Sequence, residues 1–323
     1  MKMNSSTILF YMTMMMGISM SISSSSWIMI WCGLEISLIS IIPLMISKSI
    51  ISSESVMKYF ITQSVSSMML MLGMLIMVMS GDYNYNYMLT TSLLIKMGVA
   101  PFHNWVLTVI EGLNWIMMLT ILTINKIAPL TMLSYIFSDL VVTILITVIL
   151  GAVMGMNQNS IKKLIGYSSI FNMGFIISVL KLNLMWSLYL FIYSTLMIML
   201  TTLIMNNKVM YINQMTFVES IMNSISMWMI MLSMGGMPPL MGFFIKYMVI
   251  TYLIDMKMIL MVLTMVMTSL IIMFFYLRMM FMSILNNSLM IYTKMFQLNE
   301  ISSNMLIINL ITMPILMLMK IFI

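Results

Sequence analysis

Charge is the scarcest commodity in this chain. Only 7% of its 323 residues are Asp, Glu, Lys or Arg, while 62% are hydrophobic; a soluble domain carries about a quarter charged residues. That shortage excludes a water-soluble globular fold and indicates a membrane protein. Cysteine is reduced to one residue, Cys32, and histidine to one, His103. A single thiol excludes an internal disulfide and any cysteine-based zinc or iron–sulfur site. A single imidazole excludes multi-histidine metal or haem ligation. The formal charge of +6 is spread over the polar breaks, so no basic patch for nucleic acid is present.

Apolar runs of membrane-spanning length fill the rest, one after another. They are expected near 3–22, 25–47, 56–80, 88–110, 115–137, 139–156, 164–180, 183–205, 221–253, 258–284 and 301–322. The pattern predicts an all-α polytopic fold of about eleven transmembrane helices over 1–323, with no soluble domain between them. The first run stands where a secretory signal would, but its Met-rich core is long and lacks a small-residue cleavage site, so it reads as a mature span. The 53 methionines raise copper handling as one reading. Drift in an AT-rich genome with a reassigned Met codon explains them more simply and points to a mitochondrion.

Basic residues set the expected orientation. With the N-terminus inside, the inner segments hold Lys2, Lys48, Lys58, Lys162, Lys163, Lys208 and Lys294, and the outer ones only Lys181, Lys257 and Lys320. The C-terminus then lies outside. The tyrosine-rich turn from Asp82 to Tyr87 suits the outer interface, where Tyr rings anchor at headgroup level. Tyr211–Ser220 and Asn286–Glu300 read as short surface connectors.

Four charges remain near span centres: Glu35, Lys96, Lys126 and Lys246. Lys96 follows Tyr87 by nine residues, about 13–14 Å at 1.5 Å per residue, close to the middle of a hydrocarbon core roughly 30 Å thick. Each such charge costs about 2.5–3.5 kcal/mol even on the lenient insertion scale. Four of them imply a hydrated, paired interior path. A lysine held between desolvation and a carboxylate can load and release a proton as its neighbour changes charge. The plainer alternative is a static ion pair between Glu35 and one lysine, which leaves two lysines to be explained.

Helix breakers accompany three of these charges. Pro101 follows Lys96, Pro129 follows Lys126, and Gly235-Gly236-Met237-Pro238-Pro239 precedes Lys246. A proline frees the carbonyl one turn earlier, which can then hold a water or a cation. Irregular backbone persists in membranes only inside protein or along a water-filled cavity. The segment 221–253 is therefore expected to be two half-helices, and lysine beside a broken helix reads as a transport path. His103, two residues past Pro101, is a candidate proton carrier to water, with a hydrogen-bonded interfacial histidine as the alternative. Glu111 is expected to be solvated, Cys32 to be a packing residue, and Lys162-Lys163 to report topology.

The segments Trp31-Cys32-Gly33-Leu34-Glu35-Ile36, Leu94 to His103, Asn125-Lys126-Ile127-Ala128-Pro129-Leu130, Asn157 to Leu164, Tyr167-Ser168-Ser169-Ile170 and Gly235 to Lys246 occur in this order over nearly the whole chain. In that order they resemble NADH dehydrogenase subunit 2, one of the antiporter-like subunits of respiratory complex I, in its shortened insect-like form. The resemblance implies two inverted repeats, about 1–137 and 139–284, a final helix at 301–322, and two discontinuous helices. It implies that Glu35 and Lys96 form a switch pair, that Lys126 is the central relay lysine and that Lys246 stands nearest the exit. It further implies neighbouring membrane-arm subunits, lipids such as cardiolipin, and a mitochondrial inner-membrane location with the N-terminus on the matrix side. NADH, FMN, iron–sulfur clusters and ubiquinone would belong to other subunits, leaving this chain no cofactor. Lys96 precedes its break while Lys246 follows its own, which simple inverted symmetry does not imply. The competing functions are a stand-alone cation/proton antiporter, which the lack of an intramembrane Asp disfavours, and a purely structural membrane subunit. A redox role has no ligand set to support it.

Overall fold

The structure, a computed structural model, describes residues 4–47, 49–80, 86–136, 140–217, 221–287 and 300–319. Lys2, Lys48, Lys294, Lys320, the turn over 82–85, residues 218–220 and most of the 286–300 connector lie outside the described residues. Among the described residues, regular structure is helical apart from one isolated antiparallel bridge between Ser160 and Tyr211. Six helices there are long and apolar enough to cross a membrane, the broken Trp115–Tyr135 segment being counted as one.

The chain forms two compact units, Met1–Thr143 and Ile144–Ile323. The first holds α1 (Ser5–Ser23), α2 (Trp27–Met45), α3 (Ile50–Ser80), α4 (Asn86–Met97), α5 (Asn104–Gly112), α6 (Trp115–Leu122) and α7 (Ile127–Tyr135), with a 3-10 turn at Ile124–Lys126. In lipid, helices gain no hydrophobic attraction for one another, so close packing depends on small residues. Gly17 and Ser21 on α1 face Gly33 and Ser37 on α2: a Cβ on Gly17 would stand 2.8 Å from the Gly33 carbonyl oxygen, and one on Gly33 would stand 2.8 Å from the Ser21 amide. α3 packs on α2, α4 and α5. Its buried stripe is Ser52, Ser55, Tyr59, Gln63, Ser66, Leu70 and Met74, a helical spacing whose first half is polar.

The second unit holds most of α8 (Val141–Met156), then α9 (Ile161–Ser178), α10 (Asn183–Asn207), α11 (Ile221–Gly235), α12 (Met241–Asp255), α13 (Ile259–Asn287) and α14 (Glu300–Met319). The connector after α10 folds as a 3-10 segment, Ile212–Phe217, against α13. α9 is buried on every side from Leu164 to Ile177, the state expected of a helix that is the core of its unit. Arg278, the chain's sole arginine, was not singled out in the sequence. Its guanidinium donates to the Met156 and Gln158 carbonyl oxygens, both at 2.8 Å. It thereby satisfies carbonyls at the C-terminus of α8 and places positive charge at the negative end of that helix.

The two predicted discontinuities are both present and are built alike. At the first, Gly98 has φ +69°, its amide donates to Ile95 at 3.1 Å, and the Val99 amide reaches back to Leu94 at 3.1 Å. At the second, Gly236 has φ +92°, its amide donates to Leu232 at 2.9 Å and to Ser233 at 3.1 Å, and the Met237 amide reaches Leu232 at 3.1 Å. Both are Schellman-type ends, which need a residue tolerant of left-handed φ. Each continues through a cis X–Pro bond three residues on, Ala100–Pro101 and Pro238–Pro239. Each then closes with an i→i+3 turn, Phe102 amide to Val99 at 2.8 Å and Leu240 amide to Met237 at 2.9 Å. Pro129 acts differently. It lies in the first turn of α7, where a missing N–H costs nothing, and the discontinuity precedes it, at the 3-10 turn that ends on Lys126.

Candidate functional site

Lys96 ends α4 two residues before Gly98, so the break fixes where its side chain emerges. It is buried, with its ammonium 3.9 Å from Glu35 Oε1, and the two side chains are 4% and 23% exposed. That separation lies beyond hydrogen-bonding reach, and Glu35 Oε1 has no hydrogen-bond partner among the described residues. The contact is an electrostatic pair without a shared proton. Glu35 sits mid-way along α2, two residues from the Gly33 contact that holds α2 against α1.

Lys126 is 4% exposed, and no hydrogen bond or ion pair to its ammonium is found among the described residues. Lys96 and Lys126 nevertheless share surroundings. Both line one cavity of about 30 Å³, together with Tyr59, Gln63, Trp105 and Asn125. A site of that size and polarity has room for one or two waters. Asn125 donates to the Tyr59 hydroxyl at 3.3 Å, and its own Oδ1 is buried without a partner among the described residues.

Side chains also donate to carbonyls at the first break. Trp105 Nε1 donates to the Ile95 carbonyl at 3.0 Å, and Gln63 Nε2 donates to the Lys96 carbonyl at 3.4 Å. The Tyr59 and Trp105 rings lie 5.9 Å apart. None of these four residues was singled out in the sequence. The signal was there for two of them: Ser52, Ser55, Tyr59, Gln63 and Ser66 put polar groups at helical spacing along one face of an apolar span. Trp105 and Asn125 are placed by the breaks themselves, which their neighbours alone do not reveal.

His103 occupies the N-cap position of α5 without a side-chain capping bond, and its Nδ1 lies 3.2 Å from the Pro101 carbonyl oxygen in its own loop. It does not line the cavity that Lys96 and Lys126 share. Glu111 is exposed and Cys32 half-buried.

Lys246 belongs to the second unit. Its ammonium donates to the Met234 and Gly235 carbonyl oxygens at 2.9 and 2.6 Å, the groups released where α11 ends. It also lies 5.3 Å from the centre of the Phe171 ring, within cation–π range. The cation that the second break holds is thus the chain's own lysine, folded back from α12. Lys96 does not fold onto its break in this way, so similar backbone holds the two ammonium groups differently. A small cavity of about 10 Å³ adjoins Lys246, Asn172, Tyr189, Tyr193 and Ser233. The Tyr189 hydroxyl donates to Asn172 Oδ1 at 2.9 Å. Among the described residues no group of His, Cys, Asp and Glu could hold a metal ion.

Residues 24–272 match the transmembrane family NADH:quinone oxidoreductase/Mrp antiporter. The chain belongs to this family. Its relatives include NADH-ubiquinone oxidoreductase chain 2 of Locusta migratoria, 36% identical over 95% of this chain and 92% of the relative. The same-named protein of Anopheles gambiae is 36% identical over 84% of each chain. Among solved structures, a chain of respiratory complex I from Thermus thermophilus with bound aureothin superposes with a TM-score of 0.80 at 18% identity, covering 98% of this chain and 79% of that one. At that identity the likeness concerns the fold alone.

Proposed function

We propose that this chain is a proton-translocating membrane-arm subunit of NADH:ubiquinone oxidoreductase in the mitochondrial inner membrane, with Glu35, Lys96, Lys126 and Lys246 as its proton-carrying groups. Family membership and relatives aligned over most of their own length support the assignment to the complex. The observation that carries the mechanism is the single cavity lined by both Lys96 and Lys126. Two buried cations facing one water-sized space repel each other, so the proton of one is sensitive to the charge of the other. Glu35, near enough to Lys96 to feel its charge but not hydrogen-bonded to it, is the group through which a change outside the chain would enter. Lys246 is the further station in the second unit. His103 is a secondary candidate, as its place at the Pro101 loop does not put it on the cavity.

In this reading the chain crosses the membrane about eleven times with its N-terminus on the matrix side. Helices α4 and α5, like α11 and α12, form single interrupted crossings in two related halves. The matching construction of the breaks at Gly98 and Gly236 supports that relation. NADH, FMN, iron–sulfur clusters and ubiquinone serve other subunits, and the partners are neighbouring membrane-arm subunits and inner-membrane lipids, including cardiolipin. Replacing Lys126 by Met, which keeps the length of the side chain and removes its charge, tests the relay. Assembly is expected to persist while protons moved per NADH oxidised fall. An unaltered proton yield in the assembled variant would remove Lys126 from the path.

A further inference from the structure

Tyr59 and Gln63 stand one turn apart on the same buried face of α3, and between them they hold the surroundings of both first-unit lysines. Among the described residues, the Lys96 carbonyl is bonded by the Gln63 side chain at 3.4 Å, in place of the amide that an unbroken helix would have offered. Tyr59 accepts the Asn125 amide at 3.3 Å, and Asn125 immediately precedes Lys126. The Tyr59 ring also packs against Trp105, whose indole holds the Ile95 carbonyl at 3.0 Å. Both α3 side chains line the cavity that Lys96 and Lys126 share. Since α3 is unbroken from Ile50 to Ser80, it offers a rigid reference to two interrupted neighbours.

We infer that Tyr59 and Gln63 are positioning residues for proton transfer, holding the ends of the two interrupted helices so that Lys96 and Lys126 open onto one water-sized space. The inference rests on the proposed relay and adds what sets its geometry. A buried amide on an apolar span is costly unless it is hydrogen-bonded, and an apolar residue of the same length would fill the volume at less cost. A merely structural role therefore predicts that Gln63→Met is tolerated in function wherever it is tolerated in assembly.

The test uses the full chain in the assembled complex, with Gln63→Met, Tyr59→Phe, the double variant and Lys126→Met side by side. Proton translocation is measured per assembled complex across a range of pH. Gln63→Met is expected to slow it about fivefold, the equivalent of one hydrogen bond worth ~1 kcal/mol, and to displace the pH profile from that of the parent. The double variant should approach Lys126→Met. If Lys126→Met slows translocation while Gln63→Met and Tyr59→Phe leave both rate and pH profile at the parent's, the positioning role is overturned and the relay stands. If Lys126→Met has no effect, the relay falls and the inference falls with it. Should Gln63→Met not assemble, Tyr59→Phe alone, which loses only a hydroxyl, decides: a parental rate and profile overturn the inference.

Discussion

Gly236 meets two demands with one missing methyl. Its φ of +92° lies where an L-residue with a side chain costs about 1–2 kcal/mol. A Cβ there would also stand 2.9 Å from Lys246 Cδ, against the stem that carries the ammonium to its carbonyls. Gly236→Ala should therefore loosen the end of α11 and displace Lys246 together. Hydrogen exchange of the backbone over 232–246 is expected to quicken in the variant; unchanged protection would mean that the break does not depend on glycine. At this scale the residues themselves were informative about charge, while the pairing of Lys96 with Glu35 came from the resemblance. Glu35, Lys96, Lys126 and Lys246 stand out because ionised groups are expensive in an apolar span. Lys246's attachment to the Met234 and Gly235 carbonyls could not be read, since it requires α12 to turn back onto the end of α11. Gln63 was legible only as one member of a polar stripe, a weak signal until the carbonyl it bonds is seen.

Helices in lipid are held by contact rather than by exclusion from water, and α1 against α2 shows what that requires. Gly17 and Gly33 bring the two backbones together, and a Cβ on Gly33 would lie 2.7 Å from the Gly17 carbonyl oxygen. Gly33→Val should force the pair apart at a cost of about 1–3 kcal/mol, the usual penalty of overpacking. The variant is expected to lower the yield of intact complex after detergent extraction, with Gly33→Ala milder. Ile39→Val, at a position 64% exposed on the same helix, provides the comparison, and equal yields for Gly33→Val and Ile39→Val would refute the close contact as a determinant. Elements as a class were the most readable part of the chain. Hydropathy announced a helical chain, and Pro101 and the Gly235–Pro239 cluster pointed to the two breaks, where left-handed φ followed by proline cannot continue a helix. Pro129 pointed to the break beside Lys126 without causing it: the 3-10 turn precedes it, and within the first turn of a helix proline is compatible with the fold.

For the whole molecule, the number of crossings and their direction make the sharpest expectation. α10 runs from Asn183 to Asn207, about 37 Å at 1.5 Å per residue, enough to span a bilayer. Lys181 and Lys208 flank it, and both are exposed. With Cys32 replaced by Ser, a membrane-impermeant maleimide applied from the intermembrane side is expected to label Lys181→Cys and to leave Lys208→Cys untouched. Labelling of both, or of Lys208→Cys alone, would overturn the orientation read from the basic residues. Composition announced the membrane and the family resemblance extended along most of the chain. The division into Met1–Thr143 and Ile144–Ile323 was not read from composition or hydropathy; the resemblance alone implied a boundary, at 137–139.

The hold of Lys246 on its break has a consequence for counting hydrogens. An ammonium carries three N–H donors, and two of them are engaged by the Met234 and Gly235 carbonyls. A neutral amine keeps two. The backbone end can thus stay tied whether the nitrogen is charged or not, and the third hydrogen is the spare one. The same atom can serve as a fixed clasp for the helix and as a place where a proton is left or collected.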